Sequence, residues 1–360
     1  MAHPLVRLEP IGPGRWLLSR EDRLHGHRVS AVAAAALVSA FAKTGRNELT
    51  STISTWTSSK DSAEKILDWL IFEAYLVDCS DNEAADTAAS LNQWNANGWR
   101  AAARYHARTF GYPFEFYASD GSSAEDFRRM VAYNQQQPDT DRARGRIVDA
   151  DVSHPLPDPA AELNEARFGT VVGGAALGRK LNRDAVLDLL SLLSRPIRAD
   201  GMPYAQAAPL LRKTSPSGGS RHPTELSLIT SGLPDVHDGV YQVASVDGVL
   251  DSVDSVWTPP ADWLSLLGLA ATTGPWALVL YSSFFERNRY RYREPRTFRT
   301  VHMDVGHLMT TCEFLGRANG WRVRQVQHLN GPEIAAHLGV DPYVECPMSA
   351  TLLTSLERPN

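Results

Sequence analysis

"KTSPSGGSRHPTELSLIT" occupies Lys213–Thr230. Its first half is a turn. Pro216, Gly218, Gly219 and Pro223 interrupt any regular element, and Thr214, Ser215 and Ser217 add hydroxyls. Its second half, from Glu225 to Thr230, reads as a strand. Hydroxyls and backbone N–H groups in a glycine-rich turn can form a concavity for an anion or a carbonyl. The loop is not a Walker loop, because Gly-Lys-Ser/Thr is missing, and no G-x-G-x-x-G follows a strand. A serine hydrolase lacks its G-x-S-x-G elbow. A metal site lacks H-E-x-x-H and paired C-x-x-C, so no metal is expected. The residues alone leave two uses open, ligand binding and a structural turn.

Helix and strand interleave around this stretch. Leu181–Leu193 places Leu181, Val186, Leu189, Leu190 and Leu193 on one helical side. Gly239–Ser245 and the residues after Asp247-Gly248 suggest a hairpin. A short helix is expected at Trp263–Ala271. Ala277–Tyr281 (ALVLY) is apolar throughout and predicts a central strand. A long helix is expected over His302–Arg317, a core strand over Trp321–Val326, and a closing strand over Met348–Leu356. A hairpin forbids a purely parallel sheet, so the fold class is α+β with a mainly antiparallel sheet.

The rest of the chain bounds the answer. Its 360 residues exceed one typical core of about 100–200. Apolar residues at 43% and charged residues at 21% fit a folded globular protein. A net charge of −5 gives no general electrostatic reason to bind nucleic acid or an anionic membrane. No apolar run is long enough for a membrane span. The start, MAHPLVRLEP, has no signal-peptide pattern. Three distant cysteines, Cys79, Cys312 and Cys346, fit reduced thiols and a cytoplasmic location.

Residues 1–134 read as an N-terminal helical extension that resembles a winged-helix unit, with helices over Val29–Phe41, Ser62–Leu76 and Asn92–Tyr112 and a short strand at Leu76-Val77. Asp61 or Ser62 is the expected cap of the second helix. No basic recognition helix is visible, so peptide or partner docking, or plain structure, is expected there. Residues 135–160 are polar and proline-containing, the composition of a linker. Residues 161–360 form the second domain.

"TSPSGGSRHPTE" resembles the signature of SagB-type dehydrogenases, a branch of the FMN-dependent, nitroreductase-like family. Tyr290–Trp321 (YRYREPRTFRTVHMDVGHLMTTCEFLGRANGW) resembles that family's basic-Tyr-Arg segment followed by Asp-x-Gly-His. Leu338–Leu353 is a weaker third match, and together the blocks span about residues 165–355. The resemblance implies a nitroreductase-like homodimer, or a heterodimer with a homologue, with FMN at the interface. It implies a peptide substrate, other peptide-modifying enzymes as partners, and oxidation of azolines to azoles. Ser215, Pro216, Ser217, Gly218 and Gly219 would lie along the flavin, which carries the redox chemistry. Arg221 and His222 would face phosphate, ribose or a neighbouring subunit. The residues themselves equally allow His222 and Glu225 a structural cap or salt bridge.

The resemblance places catalysis on a Lys-Tyr pair, which falls here on Arg291-Tyr292. An arginine stays protonated and is no general base, so Arg291 would act on Tyr292 through its charge. The family's phosphate-gripping arginines fall on Phe168-Gly169-Thr170-Val171-Val172, where only Thr170 matches. Arg167, Arg179, Lys180, Arg322 or Arg324 could rebuild that anchor. Three functions follow: an FMN-dependent azoline dehydrogenase, a flavin-dependent reductase of dehydroamino acids, or a cofactor-poor scaffold subunit of a peptide-modifying complex.

Overall fold

A computed structural model gives the architecture. It describes residues 1–355 apart from 24, 43, 113–121, 136–142, 160–177, 201–209, 254–259 and 290. The chain divides into two compact units, Met1–Phe116 and Tyr117–Asn360.

The first unit opens with strands β1 (Val6–Gly12), β2 (Arg15–Arg20) and β3 (Gly26–Ser30), an antiparallel meander in that order. Helices α1 (Ala31–Ser39), α2 (Arg46–Ser54), α3 (Lys60–Phe72), α4 (Asn82–Ala96) and α5 (Arg100–Phe110) follow. Leu18, Leu37, Ile53, Leu67 and Leu70 share its core. The meander was not expected from the sequence. The cap of α3 is Ser59, which accepts from Ser62 N, and neither Asp61 nor Ser62 fills that place. The single helix expected over Asn92–Tyr112 is two, because Gly98 takes a left-handed φ of 77° and breaks it. Leu76 makes an isolated bridge to Ala2 where a short strand was expected.

The second unit holds α6 (Ser122–Gln135), β4 (Ser153–Pro155), α7 (Arg183–Ser194), β5 (Arg198–Asp200), β6 (Leu210–Arg212), β7 (Thr224–Ser231), β8 (Gly239–Ala244) and β9 (Val249–Ser252). It continues with α8 (Pro260–Leu266), β10 (Trp276–Phe284), α9 (Glu286–Arg289), α10 (Thr297–Ala318), β11 (Trp321–Val326), α11 (Gly331–Leu338) and β12 (Glu345–Ser355). Among the described residues, seven strands form one sheet in the order β11-β12-β10-β7-β8-β9-β4. Every neighbouring pair is antiparallel. The expected α+β class with a mainly antiparallel sheet is the architecture of this unit.

The centre of the sheet is β10, and its apolar run follows from two covered faces. Ala277, Val279 and Tyr281 pack with α7 and α10, while Trp276, Leu278 and Leu280 pack with α8 and α11. Trp321–Val326, expected in the core, lies at one edge. The stretch expected as a linker is partly built in. Ser153–Pro155 is the opposite edge strand, with its proline where no ladder N–H is needed. Arg144 reaches Glu225, Ser227 and Glu345. Charge pairing to the sheet therefore overrides the polar, proline-bearing composition.

Candidate functional site

The loop Lys213–His222 runs from β6 to β7 and is fastened to α10 by its own polar groups. Ser215 Oγ donates to Thr311 Oγ1 at 2.9 Å. Pro216 O accepts from His307 Nδ1 at 3.1 Å. Ser217 Oγ donates to Asp304 at 2.7 Å, and Gly218 N donates to the same carboxylate at 3.1 Å. Ser217 Oγ also accepts from His222 N at 2.9 Å. Gly218–Ser220 forms one tight turn, with φ of 61° at Gly219, 52° at Ser220 and 45° at His222. Two left-handed non-glycine residues so close together mark a backbone held by its surroundings. Asp304 is 3% exposed. Burial raises its carboxyl above the ordinary value, and the bonds from Ser217 and Gly218 only partly oppose this.

Beneath the loop lies an ionic cluster. Glu225 accepts from Arg144 N at 2.8 Å and pairs with Arg287. Arg287 also donates to His222 O at 3.1 Å, and Arg144 pairs with Glu345. Burial disfavours the Glu225 carboxylate, but Arg287, Lys213 and Arg144 outweigh it and hold its pKa below the ordinary value. Lys213 donates to Ser245 Oγ at 3.3 Å, and burial lowers its ammonium to about 8.

His222 Nε2 donates to Leu211 O at 2.8 Å. Burial, then the charge of Lys213, brings its pKa from 6.5 to about 4. The unfolded chain therefore binds more protons between these two values, and this contribution to stability falls as pH drops through that window. His222→Asn keeps a residue that tolerates a left-handed φ but no longer titrates. The variant should be the less stable near neutrality, having lost the bond to Leu211. The balance should shift by about 2–3 kcal/mol in the variant's favour toward pH 4, enough to reverse the order, read from urea midpoints.

The loop meets the second sequence block at one point. A Cβ built on Gly219 would lie 2.0 Å from Tyr292 Oη, so only a glycine admits this approach. Tyr292 N donates to Asn288 O at 2.8 Å, at the turn that leaves α9. The Arg291 guanidinium stands 5.5 Å from the Tyr292 ring centroid. Its Nη1 is buried without a partner. Tyr292 lines a cleft of about 710 Å³ with Phe285, Asn288, Phe298, Val301 and Tyr343.

The expected residues thus divide. Ser215, Pro216, Ser217, Gly218, Gly219 and Tyr292 come together, and Arg291 adjoins them. Arg221 does not face outward: it is 3% exposed, with Nε donating to Arg287 O at 3.1 Å. Arg322 is not brought to the loop. On β11, Gln325 bonds to Met309 O of α10, and Trp321 and Val323 pack on the α10 side of the sheet. Arg322 and Arg324 alternate onto the face of Val326, which packs on the α8 and α11 side. Arg179 is paired with Asp188. Thr170 and the rest of 168–172 lie outside the described residues. Sequence reading missed Asp304 as the loop's anchor, although Asp-x-Gly-His was its signal. Asn288, Arg287 and Arg144 carried no local signal. Among the described residues, no group of three His, Cys, Asp or Glu could hold a metal ion. No helix among them is long and apolar enough to cross a membrane.

No family model matches the chain. Over 180 residues it is 27% identical to the trifolitoxin-processing protein TfxB of Rhizobium leguminosarum bv. trifolii, covering 47% of each chain. This chain is similar to a trifolitoxin-processing protein. The match spans about half the length of the relative. Among solved structures, one described as a nitroreductase from Anabaena variabilis aligns with a TM-score of 0.46 and 17% identity, over 66% of this chain and 46% of that one. Another so described, from Ralstonia eutropha, gives 0.40 and 11%, over 60% and 95%. The E. coli microcin synthetase McbBCD complex with truncated pro-MccB17 bound gives 0.40 and 16%, over 80% and 98%.

Proposed function

We propose that the chain is an FMN-dependent oxidoreductase that matures a ribosomally made peptide, by dehydrogenating an azoline to an azole. The observation that carries this reading is the approach of Tyr292 Oη to Gly219 at the edge of the cleft. Two blocks that separately resemble SagB-type enzymes meet there. The relationship to a trifolitoxin-processing protein supports the same reading.

The residues fit a planar ring. The cleft volume is in the usual range for a cofactor or small ligand, about 300–1,000 Å³. Its walls include Phe285, Tyr292 and Phe298, and the loop meets it where Tyr292 Oη lies over Gly219. Gly218, Gly219 and Tyr292 would hold the ring, with Ser215 and Ser217 acting from behind by fixing the loop to α10. For the phosphate, neither arginine is offered: the Arg221 side chain turns inward to Arg287 O, and Arg322 lies on the sheet face of Val326. Bound there, the flavin supplies a two-electron hydride acceptor.

Forming an azole removes a hydride and a proton from the azoline carbons. Tyr292 Oη is the proton-handling atom at the cleft, and a positioned group of this kind contributes by general acid–base catalysis. Arg291 remains a cation beside it and takes no proton. The scaffold reading has one observation in its favour: the hydroxyls of Ser215 and Ser217 are already spent on α10.

The absorbance spectrum of the purified chain, with FMN titrated in afterwards, separates these readings. Flavin bands at one flavin per chain are the expected result, and no uptake at saturating FMN moves the chain to the scaffold role. With a co-expressed peptide, loss of two hydrogens marks dehydrogenation. Gain of two hydrogens would make the chain a dehydroamino-acid reductase.

A further inference from the structure

Arg293 is the next residue after Tyr292. Both line the cleft, and Arg293 is exposed. Its guanidinium carbon stands 4.0 Å from the centroid of the Tyr133 ring on α6. A stacked guanidinium uses its flat face on the ring and keeps its N–H edge for acceptors in its own plane. That edge is a rigid fork that matches two oxygens of one phosphate. Arg291, on the other side of Tyr292, is less suited, because its Nη1 is buried.

Charge on the surrounding segment points the same way. Glu286–Arg296 holds five arginines and two glutamates. Arg287 turns to Glu225 beneath the loop. Arg289 takes Glu286 with both Nε and Nη2, and Arg296 takes Glu294. The segment keeps a cationic excess, which favours an anionic ligand over a neutral one of the same shape. Phe285, Phe298 and Val301 make other walls apolar. A flat apolar body that carries an anionic group fits such a cleft.

We infer that Arg293 holds the phosphate of the flavin, with Tyr133 as the positioning residue that fixes the plane of the guanidinium. This rests on the flavin reading above, and it supplies the anchor that Arg221 and Arg322 do not. The two ends of the cofactor would then be served by consecutive residues, Tyr292 at the ring and Arg293 at the phosphate.

FMN and riboflavin differ only in the phosphate, so the pair isolates the anchor. Flavin fluorescence, titrated with the full chain, gives Kd for each. Wild type should prefer FMN, by a margin that shrinks as salt rises. Arg293→Ala should weaken FMN by about 10–100-fold, as loss of a charge-assisted pair would give, and leave riboflavin within about twofold. Arg293→Lys keeps the charge without the fork and should fall between. Tyr133→Leu should weaken FMN several-fold and spare riboflavin. Circular dichroism checks folding, and if Arg293→Ala does not fold, Arg293→Lys carries the comparison. Equal weakening of both flavins would make Arg293 part of the ring wall and overturn the inference. FMN binding indifferent to the Arg293 variants would overturn it too, placing the phosphate elsewhere while the flavin reading stands. Uptake of neither flavin by wild type would overturn both together.

Discussion

Glu225→Ala is expected to destabilise the second unit by about 3–5 kcal/mol, the cost of breaking a buried ion pair by removing one partner. Glu225 is 2% exposed and Arg287 6%. The variant leaves the Arg287 guanidinium buried without its carboxylate, takes the acceptor from Arg144 N, and removes the charge that favours the Lys213 ammonium. A domain is typically stable by about 5–15 kcal/mol, so this loss is a large fraction of the whole. Glu225→Gln keeps the shape and one acceptor for Arg144 N, and should lose about half as much. Urea unfolding of the three proteins checks the order, wild type above Gln above Ala. The folded-state pKa of Glu225 is depressed, so its contribution is complete above the ordinary carboxylate range and disappears as pH falls through the depressed value. The gap between wild type and the Ala variant should therefore close under acid. A loss below 1 kcal/mol at neutral pH would mean that water or a rearranged Glu345 already serves Arg287.

The residues of this cluster show where sequence reading stops. Ala277–Tyr281 was legible as a central strand because burial on both faces leaves a continuous apolar run. The hairpin at Gly248 and the α7 and α10 helices were legible for similar reasons: a left-handed glycine and a 3.6-residue apolar period. The meander at Val6–Ser30 was not, because much of it is exposed and its alternation is faint. Asn97-Gly98 was a visible breaker that the helical composition on both sides concealed. Arg144 and Glu345 are 201 residues apart, and no period or local motif records such a pair. The site followed the same division. Its glycines and its tyrosine were written in two local motifs, whereas Arg221, placed with them by neighbourhood in sequence, turns inward to the carbonyl of Arg287. Chain proximity fixes a backbone position, but burial and charge decide which way a long side chain goes.

Gly219→Ala should separate the working of the loop from its mere presence. At φ of 61° an alanine is strained, and its Cβ would stand 2.0 Å from Tyr292 Oη, far inside any contact distance. The loop has little freedom to yield, since Ser217, Gly218 and Ser215 are tied to Asp304 and Thr311 on α10. The phenol must move instead, by an ångström or more. A displacement of that size at a reacting group is worth on the order of 10²-fold in rate. Tyr292→Phe removes the hydroxyl without displacing the ring, and should cost about 10²–10⁴-fold in turnover while leaving flavin uptake intact. Combining the two should cost no more than Tyr292→Phe alone, because Phe lacks the oxygen that alanine would strike. Single-turnover reduction of bound flavin by a processed peptide reads all three variants, and the flavin spectrum reads occupancy separately. Full activity in Gly219→Ala would show that Tyr292 Oη works from another position. Equal losses in Gly219→Ala and the double variant, with Tyr292→Phe unimpaired, would move the role from the tyrosine to the loop backbone.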